Sequence, residues 1–464
     1  MAQPIAADYG QQFLFPPALA DWVPADHPAR FLREFVDQLD LPALGFAMPT
    51  AREGGPPYAP SLLLKIWLYG YLHRLRSTRK LEVACREHLS LLWLTGCQQP
   101  DHNSLWRFWR DNKAGLRAVF KRSAQLALEA GLVGLVLQAL DGTKLQAAAS
   151  GHSRWNKPRL QALLTLLDQE VNELEAQLER EPEPPPQSTY RLPEGLADRQ
   201  ALREEVRAGL QQMEQIQRDH LHPHEPEARR MSCDGKNRFG YNAQAVVDDR
   251  AGVIVAAAVV NQENDTGLAV PLVDQARENC GAQAAVTVAD SGYGSGAEIA
   301  QAAAQAVNLL VRPAGDAAAE DKPYHAHHFI YEPQRGCVVC PQGKELKFAR
   351  LQRQKGQVVQ IHRCDVKDCP VRSACTKDQR ARRFVEIWPH TLAVQRMRDK
   401  IKEPAAAAQL RKRGQIIERV FGQIKQHEGF RRWTVRGLEA VNAQWALLCC
   451  AFNLRILAKN WHPA

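Results

Sequence analysis

Residues 132–143 read LVGLVLQALDGT, an apolar run that ends in aspartate, glycine and threonine. A short apolar run bounded by turn residues is typical of a buried strand, so we expect a strand that runs into a turn at Asp141. The stretch AAVTVADSGYGS, residues 284–295, repeats this design and places Asp290 after a second apolar run. Because α/β sheets bind ligands at the carboxyl ends of their strands, the two aspartates are candidates for one site.

The segments around these two stretches alternate between strand and helix patterns. Strand patterns occur in YNAQAVVDD (241–249), GVIVAAAVV (252–260) and VNLLVRP (307–313). Helix patterns occur in NDTGLAVPLVDQARENC (264–280) and AEIAQAAAQA (297–306). This order, with a long insertion after the first strand, predicts an α/β fold with a mixed sheet.

Three further regions of the chain show other patterns. The N-terminal region is helical, and its last helix pattern (102–130) interleaves Arg107 and Arg110 with tryptophans. It predicts a helix-turn-helix-like reader of DNA, or a helical bundle with a solvated basic face. The first predicted domain is an N-terminal all-α DNA-binding domain (1–132). The second is a mixed-sheet core (133–314 and 384–464), into which a heptad-patterned helical hairpin is inserted at 155–222. A small cysteine-rich insertion (315–383) separates the two parts of the core.

The composition of the chain limits which binding partner and which cellular compartment we expect. The 464 residues carry a formal net charge of +9, which favours nucleic acid first and an anionic membrane surface second. No apolar run reaches the roughly 20 residues of a membrane span, and the first residues show no signal-peptide pattern. We therefore expect a cytoplasmic protein without membrane contact, whose eleven cysteines stay reduced.

RGQIIERVFGQIKQHEGFRRW, residues 413–433, combines an apolar helical stripe with a basic run, and Glu418 lies within both. Glu418 directly follows Ile417 of the apolar stripe, so it is expected at the edge of the buried face. The positions one turn away are Gly414 and Gly422, which leaves Glu418 without a simple helical ion pair. Such a carboxylate is either a surface ion pair or a metal ligand at a polyanion site.

Asp141, Asp290 and Glu418 form the first candidate constellation. Carboxylates held near the core rim need a cation, and three that converge repel one another until a divalent ion binds. Mg²⁺ accepts a few carboxylates together with substrate phosphates, and two ions about 4 Å apart can drive phosphoryl transfer. Each residue alone can equally be a turn or helix-capping residue. Asp265 is either a helix N-cap or an accessory acidic residue near the metals.

These motifs and their order resemble the DDE transposases of bacterial insertion sequences, whose catalytic core is RNase H-like. DGTK (141–144) resembles the motif of the first aspartate, and VADSGYGS (288–295) resembles that of the second. IERVFGQIK (417–425) is similar to the glutamate motif, in which a lysine follows seven positions later. SLLLKIWLYGYLHRLRSTRKLEVACRE (61–87) resembles the N-terminal helices of the group.

The resemblance implies catalytic and metal-binding roles, with two Mg²⁺ or Mn²⁺ ions, for Asp141, Asp290 and Glu418. Lys425 is implied as a DNA contact. Family members often carry an arginine four residues before the glutamate, whereas this chain has Gly414 there. Arg413 and Arg411 are the nearby candidates for DNA contacts, and Arg107 and Arg110 are the candidates in the N-terminal helices.

The resemblance also implies an activity and partners. The protein would bind the terminal inverted repeats of its element, hydrolyse a DNA strand there and direct the freed 3′-OH at target DNA. Its partners would be double-stranded DNA and a second copy of the chain in a synaptic homodimer, in the cytoplasm at the nucleoid. The alternatives are a catalytically silent DNA-binding regulator derived from such an element, and a non-transposing metal-dependent nuclease.

A second constellation consists of Cys337, Cys340, Cys364, Cys369 and Cys375. Cys337-x2-Cys340 is a knuckle, and four of the five thiolates could hold a tetrahedral structural Zn²⁺. The alternative is a set of reduced free cysteines. The family also has cysteines in this region of the chain.

Overall fold

The computed structural model describes residues 18–48, 56–149, 155–178, 194–317, 321–366, 368–378 and 382–462. Residues 1–17 of the predicted N-terminal domain and the predicted turn of the helical hairpin lie outside these ranges.

The N-terminal region is helical, as the sequence predicts. Its α-helices are α1 (Pro28–Asp37), α2 (Pro60–Leu72), α3 (Thr78–Glu87), α4 (Leu89–Thr95), α5 (His102–Asp111) and α6 (Lys113–Glu129). The single helix predicted over 102–130 is wrong, because Asn112 leaves helical geometry at φ −120° and ψ 25°. The Asn112 side chain accepts the backbone N–H of Ala47 at 2.7 Å, so a contact with a distant loop stabilises the break.

The first core strand is followed by the inserted hairpin. The elements are β1 (Leu137–Gln146), β2 (Trp155–Asn156), α7 (Lys157–Leu178), α8 (Glu194–Gln215) and β3 (His220–Leu221). Antiparallel pairing of β2 with β3 closes the base of the hairpin. The two helices share a small apolar core of their own, which includes Leu160, Leu167, Val206 and Met213.

The remaining core elements are β4 (Arg229–Cys233), β5 (Lys236–Asp248), β6 (Ile254–Val260), α9 (Ala269–Cys280), β7 (Val286–Ala289), α10 (Gly296–Ala304) and β8 (Leu309–Leu310). The strand order is β6-β5-β1-β7-β8, and β4 pairs with the other half of the long β5. β1 runs antiparallel to β5 and parallel to β7, which in turn is parallel to β8. The predicted mixed α/β fold is confirmed, and β4 is an addition that the sequence patterns did not indicate.

The cysteine-rich insertion folds as a five-stranded antiparallel sheet. Its elements are β9 (Ile330–Glu332), β10 (Cys337–Val339), β11 (Glu345–Gln354), β12 (Gln357–Cys364), α11 (Arg372–Cys375) and β13 (Arg383–Ile387), in the order β13-β12-β11-β10-β9. The predicted end of this insertion at residue 383 is too early. β13 pairs with β12 as far as Ile387, so it belongs to the small sheet and not to the core.

The C-terminal region contains α12 (Thr391–Lys400), α13 (Pro404–Gly422), a π-helical turn (Gln423–His427) and α14 (Leu438–Lys459). α14 is long and apolar enough to span a membrane by composition, but 83% of that window is buried inside the protein. Asn442 and Asn453 of α14 accept backbone N–H groups of β6. One apolar core joins the N-terminal helices, the large sheet and α14, so the predicted N-terminal domain shares its core with the sheet.

Candidate active site

Asp141 lies in the middle of β1, and the predicted turn at this residue is wrong. β1 continues to Gln146 because β5 pairs with it throughout, with Asp141 opposite Ala245. On the other side β7 ends at Ala289, which pairs with Leu140. Asp141 is therefore the first residue of β1 beyond the end of β7, where the sheet opens on one side.

Asp290 follows the last residue of β7 and caps a short 3-10 turn, Ser291–Tyr293. Its Oδ1 accepts the backbone N–H of Gly292 at 2.8 Å, which fixes the carboxylate at the sheet edge. Because β1 and β7 are parallel and in register up to this point, Asp141 and Asp290 leave the paired region side by side. The negative charge of Asp290 is one of the influences that raise the pKa of Asp141.

Glu418 reaches the same edge from α13, which packs against β1 and β7. A Cβ at Gly414 would lie 3.1 Å from Glu418 Oε1, so the glycine leaves room for the carboxylate to fold back along its helix. Arg413 Nη1 donates to Asp141 Oδ2 at 2.6 Å, and its Nη2 donates to Glu418 Oε1 at 3.5 Å. One guanidinium thus bridges two of the three carboxylates, although the sequence predicted Arg413 as a DNA contact.

The negative charge of Asp141 is energetically unfavourable because the side chain is mostly buried. Burial raises the pKa of Asp141 to about 6, while the charge of Arg413 and the N–H of Gly142 act in the opposite direction. The side chain of Asp141 is 18% exposed and that of Glu418 is 67% exposed. Arg413 therefore supplies a positive charge to a mostly buried carboxylate.

Asp265 belongs to the same site. It is not a helix N-cap, because α9 has Leu268 at its N-cap position. Its Oδ1 instead accepts hydrogen bonds from Asn242 Nδ2 at 2.7 Å and from Gln244 Nε2 at 2.8 Å. A Cβ at Gly142, next to Asp141, would lie 2.9 Å from this same Oδ1. The N-cap alternative for Asp265 is therefore wrong, and its carboxylate lies beside Gly142.

Three polar residues that sequence reasoning missed hold Asp265 in place. Asn242 and Gln244 are fully buried on β5, and the Tyr293 hydroxyl donates to Gln244 Oε1. Trp445 Nε1 of α14 donates to the backbone oxygen of Gln244 at 2.8 Å. The available signal was polar side chains at alternate positions of NAQAV, inside an otherwise buried strand.

The other predicted DNA contacts lie on two surfaces. Lys425, in the π-helical turn, donates to Asp234 Oδ1 at 3.1 Å, and Arg411 is exposed on α13. Arg107 and Arg110 are exposed on α5, where Arg110 pairs with the aspartate that follows it. None of these four side chains contacts the three carboxylates within the described ranges of the chain.

The cysteines of the small sheet lie close to one another. Cys340, Cys364 and Cys375 pack against one apolar cluster, and the backbone N–H of Lys344 donates to Cys340 Sγ at 3.3 Å. Burial raises the pKa of Cys375, and the neighbouring thiols raise it further. Cys337 is 5% exposed in β10. Thiolates grouped in this way are a donor set that suits zinc.

Metal binding would require small rearrangements at both places. Across the residues that the structure describes, no group of three or more His, Cys, Asp or Glu side chains is arranged to hold an ion as it stands. The carboxylates nevertheless fit a divalent cation, since they are oxygen donors at one sheet edge and two of them, Asp141 and Glu418, already share a cationic side chain.

Two family models match the chain. The model of the transposase DDE domain matches residues 339–458, which include Glu418. A transposase domain (DUF772) matches residues 17–111, which include α1 to α5. Comparisons with curated proteins and with solved structures give no match.

Proposed function

The chain belongs to the DDE transposases, and we propose that it cuts and joins DNA at the ends of an insertion sequence. The observation that carries the proposal is the meeting of three carboxylates from distant regions of the chain, two of which already share one cation. A site made only for stability would not need three carboxylates at one edge, because their mutual repulsion weakens the fold.

In this proposal two Mg²⁺ or Mn²⁺ ions are held by Asp141, Asp290 and Glu418. Such ions, when bound, activate an attacking oxygen and stabilise the leaving one. Asp290 is oriented by its own turn, and Glu418 is free to swing because it is exposed and has a glycine one turn before it. The buried network beneath the site holds Asp265 next to Gly142 of β1.

The cations around the site would hold the DNA backbone. Arg411 is exposed and ready for a phosphate, and Lys425 would exchange Asp234 for one. Arg107 and Arg110 on α5 would contact the terminal inverted repeats, and two copies of the chain would hold two ends in a synaptic homodimer. Such a protein works on DNA at the nucleoid in the cytoplasm.

A structural zinc ion is the second metal of the proposal. Cys340, Cys364, Cys369 and Cys375 would hold it, while Cys337 stays within the strand core. Elemental analysis of purified protein should find one zinc per chain, and the Cys340→Ser variant should lose it. Cys97, which is exposed and far from this sheet in sequence, provides the control Cys97→Ser. Wild-type protein without zinc would refute the assignment.

A strand-transfer assay tests the catalytic proposal. Wild-type protein with Mg²⁺ should cut the ends of a DNA carrying the element's terminal repeats and join them to a target plasmid. Glu418→Gln should abolish both steps and leave DNA affinity unchanged, because the substitution removes one charge from the metal site only. Glu403→Gln, an exposed position at the start of the same helix, is the matched control.

The same assay separates the alternatives. Cleavage without joining would favour a metal-dependent nuclease, and DNA binding without cleavage would favour a silent regulator. Full cleavage by Glu418→Gln in Mg²⁺ would remove Glu418 from the site.

A further inference from the structure

A cavity of about 590 Å³ lies apart from the three carboxylates, between the N-terminal helices and the C-terminal region of the chain. One wall is formed by the connection between α2 and α3 together with α5, and the other by the segment 429–435 after the π-helical turn. Arg432 of that segment forms an isolated β-bridge with Gln146, the last residue of β1. β1 also carries Asp141. Because a strand rises by about 3.4 Å per residue, one bound DNA can reach both the cavity and Asp141.

The cavity is strongly basic. Its lining includes Arg74, Arg76, Lys80, Arg431 and Arg432, and no described lining residue is acidic. Arg74 and Lys80 are exposed and have no acidic partner among the residues that the structure describes. Two uncompensated cations at the mouth of a cavity attract an anion, and their positive charge is not used by the protein itself.

Two further groups at this cavity lack partners of their own. α3 starts here, and the side chain of its N-cap residue, Ser77, makes no capping hydrogen bond. Arg76 donates to Glu428 Oε2 at 3.3 Å, but its buried Nε has no hydrogen-bond partner among the described residues. The free N–H groups of a helix start and an unsatisfied guanidinium nitrogen are donors that suit a phosphate oxygen.

An aromatic platform completes the lining. The rings of Trp106 and Trp109 stack at 5.6 Å with an interplanar angle of 12°. Trp109 is 1% exposed, whereas Trp106 is 44% exposed. A flat ring that is backed by a buried partner and open on its outer side is the usual platform for stacking an unpaired base.

We propose that this cavity binds an unpaired nucleotide of a DNA strand, with its base on Trp106 and its phosphate between Arg74, Lys80 and the start of α3. Duplex DNA does not fit this lining, because a paired base cannot lay its face on a ring at the wall of a cavity. The inference rests on the proposed function, since it takes DNA as the ligand, but it does not depend on the metal site.

Binding of fluorescein-labelled (dT)10 to the full chain, followed by fluorescence anisotropy, tests the stacking contact. Trp106→Ala should weaken binding by about 5-fold to 100-fold, which is the range for the loss of one stacked base. Trp22→Ala, another exposed tryptophan at 47%, is the matched control and should change nothing. Trp106 is exposed enough that its truncation leaves the fold intact, which thermal unfolding of each variant checks.

The salt dependence tests the phosphate contacts. Each lost phosphate contact lowers the slope of log K against log salt by about 0.7 for a single strand. Arg74→Ala with Lys80→Ala removes both cations from this one phosphate and should therefore flatten the slope by roughly 0.7, while Trp106→Ala should leave it unchanged. Lys459→Ala, an exposed lysine of α14, is the charge control.

A covalent probe locates the nucleotide. Oligonucleotides with 5-bromodeoxyuridine should, on irradiation, cross-link to Trp106 as read by mass spectrometry of the digested complex. Unchanged affinity in Trp106→Ala, or cross-links confined to other residues, would overturn the proposal. If strand transfer fails while Trp106 still cross-links, the proposed function is wrong and the cavity assignment stands. If strand transfer succeeds without this cross-link, the cavity assignment alone is wrong.

Discussion

Replacement of Arg413 by alanine should tighten the binding of a divalent ion and, at the same time, destabilise the ion-free protein. Under the proposed function, Arg413 and the ion compete for Asp141, whose Oδ2 accepts a hydrogen bond from the guanidinium. Without the guanidinium, an ion no longer has to displace an existing partner. Without either cation, Asp141 keeps its charge in a mostly buried position, and the fold loses the compensation that it has now.

The size of the effect follows from the two contacts. The contact with Asp141 is 2.6 Å long between side chains that are 22% and 18% exposed, and a charged hydrogen bond of this kind contributes about 2 kcal/mol. The contact with Glu418 is 3.5 Å long and that carboxylate is 67% exposed, so its contribution is close to zero. About 2 kcal/mol corresponds to roughly a 30-fold change in affinity.

Isothermal titration with Mn²⁺ and thermal unfolding with and without Mn²⁺ measure both effects. The titration is run at pH 8, because the loss of Arg413 raises the pKa of Asp141 further. The variant should bind Mn²⁺ about 30-fold more tightly than the wild type and should unfold at a lower temperature in chelator. Arg411→Ala, an exposed neighbour without a carboxylate partner among the described residues, is the control. Equal Mn²⁺ affinity and equal unfolding temperature would refute the competition.

Further substitutions test the surroundings of the site. Gly142→Ala would place a methyl group 2.9 Å from Asn242 Oδ1 and Asp265 Oδ1, so it should cost about 1–3 kcal/mol in thermal unfolding and impair cleavage. Gly422→Ala has nothing within 4 Å and should instead stabilise the protein by about 1 kcal/mol. Burial raises the pKa of Asp141 from 3.8 to about 6. Between these two pH values the native state binds more protons than the unfolded chain, so the stability of the native state falls as the pH rises across this range. Asp141→Asn should therefore unfold at a higher temperature than wild type in chelator above about pH 6, and this difference should vanish below about pH 4; a constant difference would contradict the assignment. The side chain of Glu428 is 4% exposed and lies between Arg76 and Arg455, so Glu428→Gln should lower the free energy of unfolding in urea by about 3–5 kcal/mol. Glu439 belongs to an ion pair in which its side chain is 64% exposed, so Glu439→Gln should lower it by less than about 1 kcal/mol.

The sequence predicted the elements whose side chains face one continuous core. The apolar runs of β1, β5, β6 and β7 are visible because consecutive residues are buried on both faces of these strands. The period of α13 is visible because this helix has one buried face. The small sheet escaped notice because its longest strand, β11, is largely exposed on both faces, with Leu346 as its one fully buried residue. A strand with so little buried surface has no alternating hydrophobic pattern to detect.

The sequence predicted which carboxylates approach this sheet edge, but it did not predict their contacts. Asp141 and Asp290 were identified because each follows an apolar run, and Glu418 because it borders an apolar stripe. The bond between Arg413 and Asp141 joins residues 272 positions apart, and no local pattern encodes it. Asp265 was ambiguous for the same reason, because its partners on β5 become neighbours only when the sheet forms.

The ribosome synthesises α14 after the elements that this helix stabilises. This helix follows every other described element, yet its Trp445 holds the strand beneath Asp265, its Asn453 holds β6, and its Gln444 donates to Tyr71 of α2. A nascent chain that has not yet released residues 438–459 from the ribosome therefore lacks the centre of its core. Under the proposed function, a product truncated before this helix would be unable to cut DNA even though it contains all three carboxylates.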